Sequence, residues 1–491
     1  MMAAPTLRRG PGYLHRARSD SLVRNSLYLM ASTIVTAGLG YVFWAFAAHA
    51  FTSQEVGIGS AVISLCSTTA LLTYLGSSAL LIERLPAREH SSQWTATLIR
   101  VCVITAVITA VTTLVAVPLL LASRNYHLFF SAASPVLVAI IGAAAWTLLN
   151  LLGAAFIAAR RAGRLLSIQT LVSVAKVLFV LPLAAAGTGA MGLVEAWVAS
   201  AVLGVVVGAA WLVPRMRLGQ RPGLRRRAAP APDFRPRQSQ RPRHRRALAP
   251  PSGVSMRNWL GQHITSAGGI LVPLVLPILV VLRLGVTQNA YFYITEMMGA
   301  AFFMVSPSVA QAVFAEGVRA HSDLHDVVTK ALRVIAVLLA PAMAVMVLAG
   351  KFILALFGAS YARAGYGLLI LLAISALPDA VSNVAVVVCR VTKRLGYSAA
   401  LNVGILIMTL GGSWFLMPRM GIVGVGVAWL GAQTVGAIAC LPAYAQIRGP
   451  MIAGDMPAPG TRGTAASPLD PGIVMLIEIA RQQALGRVNS P

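Results

Sequence analysis

Three ionisable side chains lie deep inside apolar stretches of the sequence, and they are the residues most able to do chemistry. Lys176, Glu296 and Asp379 each interrupt a run of about 20 or more mostly apolar residues. An ionisable group at such a depth costs at least about 2.5–3.5 kcal/mol on insertion scales and usually faces a partner or a water-filled path. The lysine can bind an anion, and either carboxylate can bind a proton or a sodium ion. A structural ion pair between Lys176 and one of the carboxylates is the alternative.

The elements that hold these residues are predicted to be membrane helices. The chain has 491 residues, of which 57% are hydrophobic and 11% charged, whereas soluble domains are roughly 25% charged. A spanning helix needs about 20 apolar residues, and proline or glycine inside the runs is tolerated. Twelve such runs are predicted, at 26–51, 56–82, 95–121, 132–158, 165–187, 190–213, 259–284, 288–315, 328–350, 366–388, 397–417 and 421–446.

The basic residues predict the orientation of these helices. The net charge is +26, yet the charge lies in short segments between apolar runs, which is typical of membrane topology signals and not of nucleic-acid binding. Of the 40 Lys and Arg, 33 are cytoplasmic if the N-terminus is inside, and five are on the other side. We therefore expect both termini in the cytoplasm. The four cysteines lie inside apolar runs without metal-ligand spacing, so no metal site is expected.

Five consecutive parts of the chain follow from this topology. The basic loop between the lobes contains thirteen Arg and eight Pro and is predicted to be disordered. Its role is either that of a solvated linker or that of a surface for anionic lipid or a cytoplasmic partner. The predicted parts are a basic N-terminal segment (1–24), an N-lobe of six helices (25–213), the Arg/Pro-rich loop (214–257), a C-lobe of six helices (258–446) and a cytoplasmic tail (447–491).

The two lobes repeat one another in sequence. The offset between matching positions stays between 229 and 234, and because six crossings is an even number, both lobes start on the same side of the membrane. The repeats are therefore expected to be parallel, with a substrate path between them. Matching positions include Arg24 and Arg257, Gln54 and Gln288, Glu83 and Glu316, Arg164 and Arg394, and Met191-Gly192 and Met420-Gly421.

Several motifs resemble one transporter family. The stretch Ala47-x-His49-x-Phe51-Thr52-Ser53-Gln54-Glu55-Val56-Gly57, the basic turn Arg160–Arg164 and the Met-Gly-x-Val entries at 191 and 420 are similar to polysaccharide-biosynthesis flippases. That family belongs to the multidrug/oligosaccharidyl-lipid/polysaccharide (MOP) superfamily, and the resemblance covers about residues 20–446. It implies an all-α, MATE-like membrane protein of about twelve helices in two parallel six-helix lobes.

The resemblance also implies a function without bond chemistry. A flippase moves a prenyl-diphosphate-linked glycan across the cytoplasmic membrane by alternating access, and H⁺ and Na⁺ are the candidate coupling ions. We expect no enzyme activity, catalytic residue or cofactor, and polysaccharide-assembly proteins are candidate partners. The expected phosphate contacts are Lys176, Arg24, Arg84 and Arg257, and the expected ion-coupling residues are Glu296 and Asp379. For the three arginines, topology control at helix ends is the alternative role.

Other functions stay open on the sequence alone. A drug or cation exporter of the same superfamily would favour acidic over basic residues in its cavity, and this sequence offers both kinds, Glu296 and Asp379 as well as Lys176. An inactive scaffold that recruits partners through the basic loop is a further alternative. A membrane glycosyltransferase or polymerase is disfavoured because the predicted outer loops are only a few residues long.

Overall fold

A computed structural model describes residues 21–85, 91–121, 123–159, 161–218, 256–310, 324–391 and 395–446. All the regular secondary structure of these residues is helical. Twelve helices are long: α1 (Ser21–Ala50), α2 (Ser53–Arg84), α3 (Ser91–Leu121), α5 (Ala133–Ala158), α6 (Ala162–Ala185), α7 (Gly189–Leu218), α8 (Met256–Leu284), α9 (Val286–Phe303), α10 (Leu324–Ala355), α11 (Ala359–Val391), α12 (Leu395–Met420) and α13 (Val423–Gln446). The short helix α4 (Arg124–Phe129) joins α3 to α5.

Each predicted membrane run coincides with one long helix. Within the described residues, ten of these helices are long and apolar enough to cross a bilayer. The other two are α8, whose apolar part is Gly268–Leu284, and the more polar α9. Both pack against α2 of the other lobe, and the polar side chains of Asn289, Thr295 and Glu296 on α9 are buried. The chain is a multi-pass, all-helical membrane protein.

The run predicted at 288–315 is interrupted. Helix α9 ends at Phe303, Met304 is a turn residue, and helix resumes over 305–310. Proline at position 307 has no N–H to donate to the carbonyl of Phe303, four residues earlier, which accounts for the break.

Equivalent helices pack at equal sequence separations in the two lobes. The Cys66 thiol donates to the Ala139 carbonyl, 73 residues away, where α2 meets α5. Gly299 faces Leu372, also 73 residues away, where α9 meets α11. The α5–α7 and α11–α13 pairs repeat a separation of 55 residues (Leu149 with Gly204, Leu371 with Gly426). The sequence repeat is therefore a structural repeat of six helices.

Helix α3 is attached to its lobe by hydroxyl groups. Most of its surface is exposed, and its buried stripe includes three threonines at intervals of four residues. These threonines form hydrogen bonds with hydroxyls of α2 and α5 at 2.6–3.0 Å. Lipid provides little hydrophobic drive for helix association, so such bonds help to hold membrane helices together. The pairs are Thr113–Thr69, Thr73–Thr109, Thr105–Ser77 and Thr109–Thr147.

Candidate functional site

The two lobes are joined tightly at one end of the bundle, which we call the closed end. It contains the short connections between α1 and α2 and between α8 and α9. The Asn289 amide, fully buried, donates to the Gly57 carbonyl at 2.8 Å and to the Ser60 hydroxyl at 3.1 Å. A Cβ atom on Gly57 would stand 1.7 Å from the Val286 carbonyl oxygen, so only glycine permits this approach of α2 to α9.

Helix α1 contributes aromatic contacts to the same joint. The Tyr41 hydroxyl donates to the Met297 carbonyl at 3.2 Å. The rings of Trp44 and Tyr293 lie with their centroids 4.6 Å apart. Trp44 and its neighbour Phe43 are buried in the cluster that spans both lobes. These contacts extend the joint to about the middle of the bundle.

Beyond that depth the same helices expose side chains. Leu72, further along α2, is 41% exposed, and Met304, two turns beyond Met297, is 59% exposed. On α1, a Cβ atom at Gly38, one turn from Tyr41, would meet nothing within 4 Å. We interpret this exposure as a space between the lobes, which we call the cleft, and we call the end where α1 and α8 begin the open end.

Lys176 faces the interior of the N-lobe from α6. Val172, Ala175 and Val180 share this face and are buried, whereas Lys176 itself is partly exposed. Its ammonium group forms no hydrogen bond or ion pair within the described part of the chain. A partly exposed cation on an inward helix face requires a hydrated space or a ligand.

Glu296 lies in the C-lobe beside aromatic hydroxyls. It is buried, and its carboxylate interacts electrostatically with Tyr41 of α1 and Tyr293 of α9. It immediately precedes Met297, whose carbonyl accepts the Tyr41 hydrogen bond. Glu296 therefore sits where the joint gives way to the cleft.

Asp379 occupies a separate, deeper polar group of the C-lobe. Its carboxylate accepts a hydrogen bond from the Asn383 amide at 2.9 Å. Helices α9 and α11 run parallel and meet where Gly299 faces Leu372. Glu296 lies three residues before Gly299 and Asp379 lies seven residues after Leu372, so the two positions are about 15 Å apart along the helix axes. The two carboxylates therefore do not form one site.

Lys176 and Glu296 lie at a common depth in different lobes. The parallel helices α1 and α6 meet where Tyr28 faces Gly163, and Tyr41 and Lys176 each follow thirteen residues later. Tyr41 in turn contacts the Glu296 region. Neither Glu296 nor Asp379 forms an ion pair with Lys176 in this conformation.

The three predicted arginine contacts are at helix ends of the open end. Arg24 lies in the first turn of α1, Arg84 is the last residue of α2, and Arg257 lies in the first turn of α8. Their side chains lie outside the described residues, as do most of the predicted loop 214–257 and all of the tail 447–491. The roles of Lys176 and of these arginines stay predictions.

Sequence reasoning did not identify the residues of the joint. Gly57 and Asn289 follow the repeated glutamines Gln54 and Gln288, and that repeat is the signal that could have found them. A Thr-x-x-Glu pattern in the sequence also predicts the start of α2. Thr52 and Glu55 form a capping box at the start of α2, in which the Thr52 N–H donates to the Glu55 carboxylate at 2.8 Å.

The comparisons with known proteins agree with this architecture. The sequence matches no protein-family model and no curated protein. Among solved structures, the chain is similar to an inward-facing multidrug resistance MATE family transporter of the MOP superfamily, with a TM-score of 0.55, 16% identity and coverage of 86% of this chain and 95% of that chain. It is also similar to an outward-facing MATE family transporter, with a TM-score of 0.51, 16% identity and coverage of 87% and 94%.

A third solved structure extends the similarity to a flippase. The lipid II flippase MurJ, in an inward closed conformation, gives a TM-score of 0.56 at 9% identity and covers 86% of this chain and 89% of that chain. Identities this low establish the fold alone. The predicted MATE-like, all-α membrane fold is therefore confirmed, and the narrower resemblance to polysaccharide-biosynthesis flippases stays a prediction.

Proposed function

We propose that this protein is a membrane transporter of the MOP type that flips a lipid-linked oligosaccharide or polysaccharide precursor across the cytoplasmic membrane. The observation that carries the proposal is the joint that, among the described residues, closes the space between two six-helix lobes at the closed end. A transporter needs a path that opens to one side at a time. MATE transporters and the flippase MurJ share this fold.

Charge on the N-lobe side favours an anionic substrate. A glycan diphosphate has to cross about 30 Å of hydrocarbon while its prenyl tail stays in lipid. Lys176 offers a cation near the middle of that distance with no carboxylate bound to it. Arg24, Arg84 and Arg257 add positive charge around the open end. Substrate phosphate would pass from the arginines to Lys176.

The orientation follows from the basic residues. The positive-inside rule puts the open end, with the three arginines, on the cytoplasmic side. Both termini and the Arg/Pro-rich loop would then be cytoplasmic. That loop would meet anionic lipid or polysaccharide-assembly proteins. Labelling of a cysteine introduced into the loop from outside sealed cells would contradict this orientation.

The C-lobe carboxylates are proposed to couple transport to an ion. Glu296 and Asp379 are both buried and neither has a basic partner among the described residues. Each can take up a proton or a sodium ion. Because they lie in different polar groups, the two positions would act as separate sites.

The same carboxylates support a second candidate, export of a drug or cation. Buried acidic residues attract a positively charged substrate, and two solved structures of this fold are multidrug resistance transporters. The two functions differ in the expected role of Lys176. An exporter of cations gains nothing from a lysine in its N-lobe, whereas a carrier of diphosphates requires a cation.

Flipping in vesicles tests the proposal. Purified protein is reconstituted in liposomes with a fluorescent prenyl-diphosphate oligosaccharide, and the fraction moved between leaflets is measured by chemical quenching. We expect flipping by the parent protein, at least a ten-fold loss with Lys176→Gln, and no change with Lys351→Gln, which alters an exposed lysine of α10. The exporter would be favoured if the protein took up a cationic dye, if Lys176→Gln left that uptake unchanged, and if no oligosaccharide were flipped.

A further inference from the structure

The short helix α4 belongs to the N-lobe but bonds to the C-lobe. The Asn125 amide donates to the Val281 carbonyl of α8 at 3.1 Å. The Tyr126 hydroxyl lies 3.5 Å from the Ile278 carbonyl, which makes it the weaker of the two bonds. The Tyr126 ring is fully buried in the core cluster shared by both lobes.

A third N-lobe side chain continues the same row of contacts. The Thr68 hydroxyl lies 3.2 Å from the Leu274 carbonyl. Residues 274, 278 and 281 are spaced by four and three positions, so their carbonyls lie along one face of α8. The N-lobe places a side-chain donor beside each, with the single Thr68 hydroxyl hydrogen shared between Leu274 and the Ser64 carbonyl of its own helix at 2.7 Å, and α8 supplies only backbone.

The Asn125 bond can break without leaving a buried acceptor unpaired. The Val281 carbonyl also accepts the Gly285 N–H at 3.1 Å, within the turn that ends α8. When Asn125 is withdrawn, that carbonyl keeps its backbone partner. The Asn125 amide is only partly buried, so water can take over its donors. An unpaired buried group would destabilise the open state, and this arrangement avoids that penalty.

We propose that α4 is a latch that holds the lobes together at the closed end. Its bonds to α8 stabilise the closed arrangement and are broken when that end opens. The α4 contacts with α2 and α3 of the N-lobe stay in place in both states. This inference rests on the alternation proposed above, but not on the identity of the substrate.

A reporter cysteine under the latch measures how often the closed end opens. Ile278 is buried in the joint, so Ile278→Cys is protected from a small water-soluble thiol reagent while the end is closed. Cys102, which is partly exposed, is replaced by Ala, and Cys66, Cys389 and Cys440 are buried. Labelling is followed in purified full-length protein without substrate.

Three variants of this reporter protein test the latch. We expect Asn125→Leu to increase the labelling rate about five-fold, because the loss of one hydrogen bond changes the equilibrium constant for opening by about that factor. Tyr126→Phe, which keeps the buried ring, should give a smaller increase of about two-fold. Asn150→Leu is the matched control, since the Asn150 amide donates to Trp146 of its own helix, and should leave the rate unchanged.

The outcomes separate the latch from the proposed transport function. Labelling of Asn125→Leu and Tyr126→Phe at the parent rate would overturn the latch, whatever the flipping assay reports. Equal acceleration by Asn150→Leu would overturn it as well, since that variant removes no contact between lobes. A faster rate in both α4 variants would support the latch even if no glycan were flipped.

Discussion

The N-lobe and the C-lobe share one helix arrangement but differ in the charge that they bury. The repeat aligns Lys176 of the N-lobe with Leu406, and it aligns Glu296 of the C-lobe with the apolar pair Val62 and Ile63. The same position is therefore compatible with an apolar side chain in the other lobe. The ionisable residues are not required by the fold, and we infer that each lobe carries them for its own task.

The lobes also differ in how their outermost helices are attached. In the N-lobe, α3 is held by hydroxyl pairs centred on Thr109. In the C-lobe, the equivalent helix α10 buries an aliphatic stripe that includes Ile335 and Leu339. Hydroxyl pairs need fixed geometry, whereas aliphatic contacts tolerate sliding. We therefore expect the N-lobe to change its internal helix packing less than the C-lobe does when the protein changes conformation.

The largest expected effect comes from breaking the joint between the lobes. In Gly57→Ala, the new Cβ atom would stand 1.7 Å from a backbone carbonyl oxygen of α9. Because that atom belongs to the backbone and not to a flexible side chain, the two helices have to move apart. Overpacking of about 3 kcal/mol would shift the population towards the state open at this end by about 100-fold. Spin labels on α2 and α9 would report the change as a longer distance between lobes.

Gly59→Ala is the matched control for that variant. It adds the same methyl group on the same helix, but the nearest atoms belong to the Leu193 side chain of the N-lobe itself. A side chain can adjust, and the contact does not cross the joint. Equal distance distributions for Gly57→Ala and the parent protein would contradict the structure of the closed end.

A smaller effect is expected from the hydroxyl pairs of α3. Thr109→Val removes the partner of both Thr73 and Thr147. Side-chain hydrogen bonds between membrane helices contribute about 0.6 kcal/mol on average and at most about 1.7, so we expect a loss of about 1 kcal/mol in reversible unfolding in mixed micelles. Thr112→Val, which changes only a bond to Ile108 of its own helix, should cost less. Equal losses would show that the pairs do not hold α3.

The smallest expected effect is the coupling between the two carboxylates. Glu296 and Asp379 are about 15 Å apart along the lobe and share no partner. The effects of Glu296→Gln and Asp379→Asn on the ion dependence of transport should therefore add within about 0.5 kcal/mol. A double variant with a coupling energy above 1 kcal/mol would mean that the two positions form one ion site.

The sequence predicted the helices better than it predicted their meeting points. Bilayer thickness sets the length of each apolar run, so all twelve long helices were found. The break after Phe303 was missed, although Pro307 signals it. The joint was also missed, because Gly57 and Asn289 belong to no periodic pattern. Glu296 and Asp379 lie at separate positions because of the way α9 packs beside α11. A single sequence does not reveal that packing.

The division of charge between the lobes is tested most directly at Lys176. Flipping of a prenyl-diphosphate oligosaccharide is measured for Lys176→Gln, for Lys176→Arg, and for Lys176→Gln combined with Glu296→Gln or Asp379→Asn. If Lys176 binds substrate phosphate, Lys176→Gln is inactive, Lys176→Arg keeps partial activity because the charge remains but its geometry changes, and neither double variant recovers. Recovery in a double variant would instead identify Lys176 as the partner of that carboxylate, and full activity of Lys176→Gln alone would contradict any role for this lysine in transport.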